Sequence, residues 1–292
     1  MLRLVLPKGS LERQTLELFE AADLQVTRSS SVAYQAAIDD PRVDSVAILR
    51  PQEIPRYVAE DRFDLGVTGR DWIEETSSEV VSLGELHYSK ATGLPVRIVV
   101  AVQNDSPAQS VADLPEGVRV STEYVELTRR FFEKRGIHAD IQLSYGATEA
   151  KTALGIADAV VELTETGSAL RAAGLRIIDT ILVSHTELIA SPAAYDDVEK
   201  RHAMAQLQTL LSGALEARGK VLVKLNVGAG DRDRVIDLLP SMKSPTVSEL
   251  FGGGGFAIET VVPKAEINTL IPALKDAGAT DIIEVALAKI VH

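Results

Sequence analysis

The sequence predicts a mixed α/β protein with two α/β subdomains of mostly parallel strands and a C-terminal βαββαβ domain. Short apolar strands alternate with helical segments over the first two-thirds of the chain, which is typical of parallel sheets. Residues 218–292 instead combine alternating strands with an amphipathic helix, the pattern of a ferredoxin-like domain. The length of 292 residues also exceeds that of a usual single domain.

The first subdomain is predicted over residues 1–93, with a returning segment over 178–212. Its strands end in polar turns, and Ser10 is a candidate cap for the first helix. The predicted strands are 2–6, 45–49 and 63–68, and the predicted helices are 11–22 and 54–59.

The second subdomain is predicted over residues 94–177. Gly155 is expected to end a short helix in a left-handed conformation, and Gly174 is expected to close the helix at 168–173. The predicted strands are 96–102, 118–121 and 157–163, and the predicted helices are 127–135 and 168–173. Strands at 176–183 and 186–190 are expected to return to the first subdomain, and a long helix over 195–217 leads onward.

The C-terminal domain, residues 218–292, begins with a strand at 221–227 whose alternate residues are apolar. A helix near 267–274 has the i, i+3, i+4, i+7 spacing of an amphipathic helix. The other predicted elements are a helix at 232–239 and strands at 246–250, 256–262 and 281–291. The last strand is expected to carry Ile283, Val285, Leu287 and Val291 on one face.

The composition excludes several classes of protein. The net charge of −12 argues against a nucleic-acid partner, and the lack of cysteine excludes disulfides and thiolate metal sites. No apolar run approaches the roughly 18 residues that cross a membrane, and the N-terminus does not have the pattern of a signal peptide. The five histidines show no metal-ligand spacing. We therefore expect a cytoplasmic protein that binds small molecules.

The sharpest motif is the segment 155–170, in which an apolar strand runs into a Thr/Gly/Ser turn that opens a helix. Such a turn presents free N–H groups and hydroxyls, which suit a phosphate. Asp158 and Glu162 are four residues apart on the strand and so share a face, where they could hold ribose hydroxyls or Mg²⁺. The alternative is an ordinary strand–turn–helix with capping residues.

Four other polar turns follow predicted strands: Lys8-Gly9, Arg50-Pro51, Gly69-Arg70-Asp71 and Ser121-Thr122-Glu123. Ligands of open α/β sheets bind at the carboxyl ends of strands, where these turns should meet. Each turn alone is more often a cap or a surface turn. Together they predict a shared anion site.

In order and spacing these motifs resemble the ATP phosphoribosyltransferase family. The resemblance rests on residues 6–9, 49–55, 64–71, 121–124 and 155–170, while 238–240, 244–247 and 277–279 are similar to the regulatory domain of its long form. It implies two catalytic subdomains around a cleft, an ACT-like C-terminal domain, and the joining of ATP to phosphoribosyl pyrophosphate with Mg²⁺ in the first step of histidine biosynthesis. It also implies dimers and hexamers inhibited by histidine.

The resemblance assigns residues to three sites. Those for the phosphoribosyl group are Asp158, Ala159, Glu162, Thr164, Glu165, Thr166, Gly167 and Ser168. Those for the nucleotide or pyrophosphate are Lys8, Gly9, Arg50, Gly69, Arg70, Asp71, Thr122 and Glu123, and those for inhibitory histidine are Thr246, Ser248 and Ala279. Mg²⁺ would bind through substrate phosphates, with Asp158 or Glu162 as candidate ligands.

The implied reaction needs no protein nucleophile, because a ring nitrogen of adenine attacks with a free lone pair. Ser10 departs from the family pattern, since Arg is common at that position, and Arg13 is a candidate replacement. Two alternatives remain open at this stage: a non-catalytic regulatory subunit and a two-lobed anion-binding protein.

Overall fold

The computed structural model describes residues 1–88, 95–240 and 244–292. The chain folds into two compact units, residues 1–208 and 209–292. The first unit contains two sheets, and we call the parts built on them lobe 1 and lobe 2. The predicted boundary between residues 93 and 94 lies outside the described residues.

Lobe 1 is built largely from the first 88 residues, which alternate strands and helices as predicted. They form β1 (Leu2–Pro7), α1 (Glu12–Ala21), β2 (Val26–Thr27), β3 (Gln35–Ile38), β4 (Val43–Leu49), α2 (Ile54–Ala59), β5 (Leu65–Gly69), α3 (Arg70–Thr76) and β6 (Val81–Leu86). Strands β4, β1 and β5 are parallel neighbours. Their carboxyl ends therefore meet at one edge, where ligands of open sheets bind.

Lobe 2 is built from residues 95–184. It contains β7 (Val96–Gln103), β8 (Val118–Thr122), α4 (Val125–Glu133), β9 (Ala139–Leu143), α5 (Ala150–Ala153), β10 (Ala159–Thr164), α6 (Ser168–Ala172) and β11 (Leu175–Ser184). The sheet order is β11-β7-β10-β8-β9, with β8, β9 and β10 parallel. Residues 98–102 of β7 are fully buried, as the continuous apolar sequence of an inner strand requires.

The chain then returns to lobe 1 through β12 (Thr186–Ala190), α7 (Pro192–Asp196) and α8 (Val198–Ala217). The lobe 1 sheet has the order β2-β3-β4-β1-β5-β12-β6. Because β11 pairs with β7 over its whole length, residues 178–184 belong to lobe 2. The predicted return at residue 178 is therefore too early, and the crossing occurs at His185.

An ion cluster fixes the start of α8 to the lobe 1 sheet. Asp64, only 2% exposed, accepts hydrogen bonds from Arg3 Nη2 at 2.8 Å and Lys200 Nζ at 3.0 Å. Burial alone would raise the pKa of Asp64, but these hydrogen bonds outweigh it and lower the pKa to about 2. The ionised carboxylate of Asp64 therefore stabilises the first unit.

Several local predictions for the first unit are wrong. The helix α1 begins after Leu11 without a side-chain cap, so Ser10 does not cap it. Strands β2, β3, β6 and β9 and helix α3 were not predicted, and the single long helix predicted over 195–217 is two helices. The left-handed conformation of Gly155 is confirmed, with a φ of 68°, and Gly174, with a φ of 75°, follows the end of α6.

The second unit has the predicted βαββαβ order. It contains β13 (Lys220–Val227), α9 (Arg232–Asp237), β14 (Thr246–Glu249), β15 (Phe256–Pro263), α10 (Ile267–Asp276) and β16 (Ala279–Ala286). The antiparallel sheet has the order β14-β15-β13-β16. Alternate residues of β13 are buried, as predicted, and pack with Ile267 and Leu274 of α10.

The last strand differs from the prediction. It covers Ala279–Ala286 rather than 281–291, and Ile283 and Val285 are 55% and 39% exposed. Asp281 has a φ of 50°, and the pairing of β16 with β13 shifts there by one residue. Such a shift exchanges the two faces of a strand, so Ile282 packs into the core instead. Among the described residues, we find no helix long and apolar enough to cross a membrane.

Candidate functional site

A cavity of about 390 Å³ lies between the two lobes. Lobe 1 lines it with residues at the carboxyl ends of β1, β4 and β5, and lobe 2 with the loop after β10. The segment between β11 and β12, where the chain returns to lobe 1, contributes residues 184–186. Its lining includes Ser10, Pro51, Gly69, Asp71, Trp72, His87, Tyr88, Thr164, Glu165, Thr166, Ser168, Ser184 and His185.

The loop after β10 is held by its own hydroxyl groups. Thr164 Oγ1 accepts a hydrogen bond from the Gly167 N–H at 2.8 Å, and the Thr166 and Ser168 hydroxyls lie 3.0 Å apart. Gly167 has a φ of 74°, and a Cβ there would lie 2.9 Å from Nη1 of Arg171. The turn therefore needs glycine, and the hydroxyl-bearing residues Thr166 and Ser168 line the cleft.

A buried carboxylate connects the lobes. Asp71 of α3 is 3% exposed and accepts hydrogen bonds from Tyr124 Oη at 2.9 Å and Ser184 Oγ at 2.7 Å. Burial raises the pKa of Asp71, although both hydrogen bonds oppose this change. The Tyr124 ring also stacks on Trp72, with centroids 4.6 Å apart. Asp71 thus joins the lobes through these hydrogen bonds and also lines the cavity, where its contact with the nucleotide or pyrophosphate stays a prediction.

A second contact between the lobes caps a helix. Glu75 of α3 accepts hydrogen bonds from the N–H groups of Glu126 at 3.0 Å and Leu127 at 2.8 Å, in the first turn of α4. Arg130 of the same helix donates to Ser77 Oγ at 3.0 Å. The free N–H groups of a helix in lobe 2 are therefore satisfied by lobe 1.

The three predicted cations of lobe 1 flank the cavity without lining it. Lys8 lies 4.1 Å above the Tyr34 ring, Arg50 is exposed, and Arg70 pairs with Glu74 at 2.5 Å. Each cation directly follows β1, β4 or β5 and is one or two positions in sequence from a residue that lines the cavity. Among the described residues, no Lys or Arg lines the cavity itself.

Glu162 lies in β10, two residues before Thr164. Burial, followed by the nearby Glu149 and Glu123 carboxylates, raises the pKa of Glu162 to about 7, although Thr148 donates a hydrogen bond to it. Its Oε2 atom is buried and has no hydrogen-bond partner among the described residues. A carboxyl group in this state gains from a nearby cation.

The structure separates two predicted residues from this loop. Asp158 precedes β10, about 20 Å from the loop at roughly 3.3 Å per residue. Its carboxylate accepts two side-chain hydrogen bonds from Arg119, at 2.7 and 3.0 Å. Ala159 is fully buried in the sheet. Strand β10 separates Asp158 from the loop, so the predicted position of Asp158 beside the loop is wrong.

The remaining predicted residues have structural partners. Gly9 has a φ of 89° and donates its N–H to Glu12 at 3.2 Å, and Thr122 is buried and accepts the Tyr124 N–H at 2.9 Å. Arg13 is 75% exposed, pairs with Glu17 and does not line the cavity, so its substitution for the missing arginine stays a prediction.

The residues predicted for histidine are not brought together within the chain. Thr246 and Ser248 are exposed on β14, at one edge of the sheet of the second unit, and Ala279 begins β16 at the other edge. Thr246 lines a cavity of about 240 Å³ with Glu259 and His292. Ala279 is 4% exposed and packs into the core of this unit.

Sequence reasoning missed several residues that line the cleft, among them Trp72, His87, Tyr88, Ser184 and His185. Trp72 lies on α3, which the sequence analysis treated as a turn. The other four lie where the chain passes between the lobes. To place these four residues together, one would have to predict both points at which the chain passes between the lobes, after β6 and after β11.

Comparison with known proteins decides the family. The HisG family model, described as ATP phosphoribosyltransferase, matches residues 50–213, and the model of the HisG C-terminal domain matches residues 217–289. The chain belongs to the ATP phosphoribosyltransferase family. It is 48% identical to an ATP phosphoribosyltransferase of Desulforudis audaxviator, over 99% of both chains. It is 44% identical to one of Pelotomaculum thermopropionicum, again over 99% of both chains.

Both family models together indicate the long form of ATP phosphoribosyltransferase, an enzyme that transfers a pentosyl group. Among solved structures, the ATP phosphoribosyl transferase (HisG:HisZ) complex from Thermotoga maritima is similar, with a TM-score of 0.61 and 25% identity. The similarity covers 72% of this chain and 98% of that chain. These matches favour the transferase interpretation over that of a two-lobed binding protein.

Proposed function

We propose that the chain condenses ATP with 5-phosphoribosyl 1-pyrophosphate to give phosphoribosyl-ATP and pyrophosphate, the first step of histidine biosynthesis, in the cytoplasm. The observation that carries the proposal is the full-length similarity to ATP phosphoribosyltransferases, together with a phosphate-binding type of loop on the cleft. Both substrates would bind between the lobes.

The phosphoribosyl group would bind the loop after β10. The hydroxyls of Thr164, Thr166 and Ser168 and the backbone of Gly167 face the cavity or support its wall. N–H groups and hydroxyls are suitable donors to phosphate oxygens. Glu165, which also lines the cavity, would contact the ribose.

The nucleotide and the pyrophosphate would lie against lobe 1. Gly69 and Pro51 line the cavity, and Lys8, Arg50 and Arg70 follow the same strand ends. Short side-chain rotations would bring these cations to the phosphates of a bound substrate, because exposed cationic side chains are flexible. Trp72 would provide an aromatic wall for the adenine ring.

Enzymes that use these two substrates act with a divalent metal, and we propose Mg²⁺ bound chiefly through substrate phosphates. The protein fits such an ion at Glu162, whose Oε2 atom is buried without a partner among the described residues. Asp158 does not fit, because Arg119 neutralises it. Bound Mg²⁺ would offset the negative charge of the phosphates.

The protein would promote the reaction by positioning and electrostatics. A ring nitrogen of adenine displaces pyrophosphate from C1 of the ribose, and the electron pair of the broken C–O bond leaves with the pyrophosphate. The ribose passes through an oxocarbenium-like state, as in glycosyl transfer generally. The loop holds one reactant and the strand ends of lobe 1 hold the other, which lowers the entropic cost of their meeting.

We further propose that histidine inhibits the enzyme through the second unit, and that the chain forms dimers and hexamers. Thr246 lines a cavity of that unit with Glu259 and His292, and Ser248 lies two residues further along the same strand. A hydroxyl and a carboxylate suit the amino and carboxylate groups of a free amino acid. Ala279 is buried elsewhere, and we leave it out of this site.

The test is an absorbance assay with purified protein, ATP, phosphoribosyl pyrophosphate, Mg²⁺ and pyrophosphatase, with and without histidine. We expect product formation that histidine suppresses. Thr166→Ala should reduce the rate at least tenfold, whereas Thr27→Ala, on the distant strand β2, should not. Absence of product would favour the regulatory-subunit or anion-binding alternative. Formation that is indifferent to histidine would remove Thr246 from any inhibitory site.

A further inference from the structure

Two histidines and a glutamate meet where the chain passes between the lobes. Glu85 and His87 lie at the end of β6, and His185 is the residue between β11 and β12. Glu85 Oε2 lies 3.8 Å from His87 Nδ1 and 3.7 Å from His185 Nδ1. Among the described residues, this is the one group of His, Asp or Glu side chains whose donor atoms all lie within 4.8 Å of one another.

We infer that Glu85, His87 and His185 form a binding site for a divalent transition-metal ion of the zinc class. Zinc takes histidine nitrogen and carboxylate oxygen at about 2.0–2.2 Å, so two ligands of a tetrahedral ion lie about 3.3–3.5 Å apart. The observed distances of 3.7 and 3.8 Å exceed this separation by a few tenths of an ångström. The donor atoms of His87 and His185 also lie within 4.8 Å of each other. Because His87 and Glu85 are 71% and 47% exposed, side-chain rotations can close these differences.

The backbone beneath the three side chains is already ordered. Strands β6 and β12 pair with Leu86 opposite Thr186, and His87 and His185 are the residues next to this pair. Glu85 lies within β6 and pairs with Glu187 of β12. The His185 carbonyl also accepts the Arg70 N–H at 2.9 Å. The ligands would therefore require little backbone rearrangement to bind.

The donor set distinguishes this site from that of the substrate-bound metal. Mg²⁺ prefers oxygen ligands, whereas two imidazoles and a carboxylate favour zinc, cobalt or nickel. His87 and His185 both line the cleft, so a ligand in the cleft could complete the coordination of the ion.

The experiment measures metal binding to the untagged full-length protein after removal of metal with a chelator. Isothermal titration calorimetry follows Zn²⁺, and visible absorption follows Co²⁺, whose spectrum reports nitrogen and oxygen ligands. We expect one equivalent to bind in the presence of excess Mg²⁺. His87→Ala and His185→Ala should each weaken binding at least tenfold.

Two matched controls use histidines outside the group, His138→Ala and His202→Ala, which should bind as the wild type does. The inference is overturned if the wild type binds no Zn²⁺ at millimolar concentrations, or if His185→Ala binds as tightly as the wild type. Circular dichroism of each variant shows whether it remains folded. The outcome is independent of the transferase assay, because binding is measured without substrates.

Discussion

Removal of the Tyr124 hydroxyl tests whether the buried Asp71 joins the lobes. The hydroxyl donates to Asp71 Oδ2 at 2.9 Å, and the aspartate is 3% exposed. Hydrogen bonds to charged groups contribute about 1.5–3 kcal/mol to stability, so Tyr124→Phe should lower the free energy of unfolding by about that amount. Ser184 remains as a donor, which keeps the loss below that of an unpaired buried charge.

The assay is urea unfolding followed by circular dichroism at one fixed protein concentration. Tyr145→Phe is the matched control, since Tyr145 is 93% exposed and its loss should change stability by less than about 0.5 kcal/mol. The double variant Tyr124→Phe/Ser184→Ala should be non-additive, because both hydroxyls serve the same carboxylate. Equal unfolding curves for Tyr124→Phe and Tyr145→Phe would refute the reasoning.

The pH dependence has a definite sign. Burial raises the pKa of folded Asp71 above its unfolded value, so its contribution to stability is present in acid and is lost as pH rises through the folded pKa. The Tyr124 hydrogen bond favours the ionised carboxylate and limits that loss. The difference between Tyr124→Phe and the wild type should therefore be larger at neutral pH than in acid.

Three further changes have calculable outcomes. Gly167→Ala forces an alanine into a left-handed conformation at a cost of about 1–2 kcal/mol and places its Cβ close to Arg171, so KM for phosphoribosyl pyrophosphate should rise at least tenfold. The control Gly174→Ala, at a φ of 75° with open space around it, should leave this KM unchanged. Equal effects of the two substitutions would contradict a phosphate-binding role for Gly167. Glu162→Gln should stabilise the protein by up to about 3 kcal/mol at pH 8 and much less at pH 5, as measured by urea unfolding. The reason is that the pKa of folded Glu162 is raised to about 7, so the wild type loses stability as pH rises toward 7. A difference in stability that does not change with pH would contradict the raised pKa. Asp64→Asn should lower the free energy of unfolding by about 3 kcal/mol at pH 7. Because the pKa of folded Asp64 is lowered to about 2, the wild type loses this advantage in acid. Acid unfolding followed by circular dichroism should therefore show the difference between variant and wild type shrinking as pH falls toward 2.

The elements that the sequence predicted well are those whose pattern is local. The apolar run at the start of β7 and the alternation in β13 depend only on which face of each strand is buried. The loop after β10 was recognised because Gly167 and its neighbouring hydroxyls are contiguous in sequence. Short peripheral strands such as β2 and β3 carry little periodicity and were missed.

The site was predicted less completely, because its contacts join distant parts of the chain. Asp71 meets Ser184 across 113 positions, and no sequence pattern links them. Asp158 was placed beside Glu162 from its spacing on one strand, yet Arg119 holds it at the strand's other end. The register shift at Asp281 exchanged the faces of β16 because a left-handed residue interrupts the alternation. These outcomes depend on tertiary contacts rather than on local propensity.

The cap that Glu75 supplies to α4 has a consequence for how such a unit can evolve. The two lobes are not interchangeable modules, because the helix of one lobe begins on a carboxylate of the other. A lobe 2 recombined with a different partner would expose or bury two unsatisfied N–H groups and would lose the Tyr124 contact to Asp71. Exchange of lobes between lineages would therefore succeed only when α3 and α4 are inherited together.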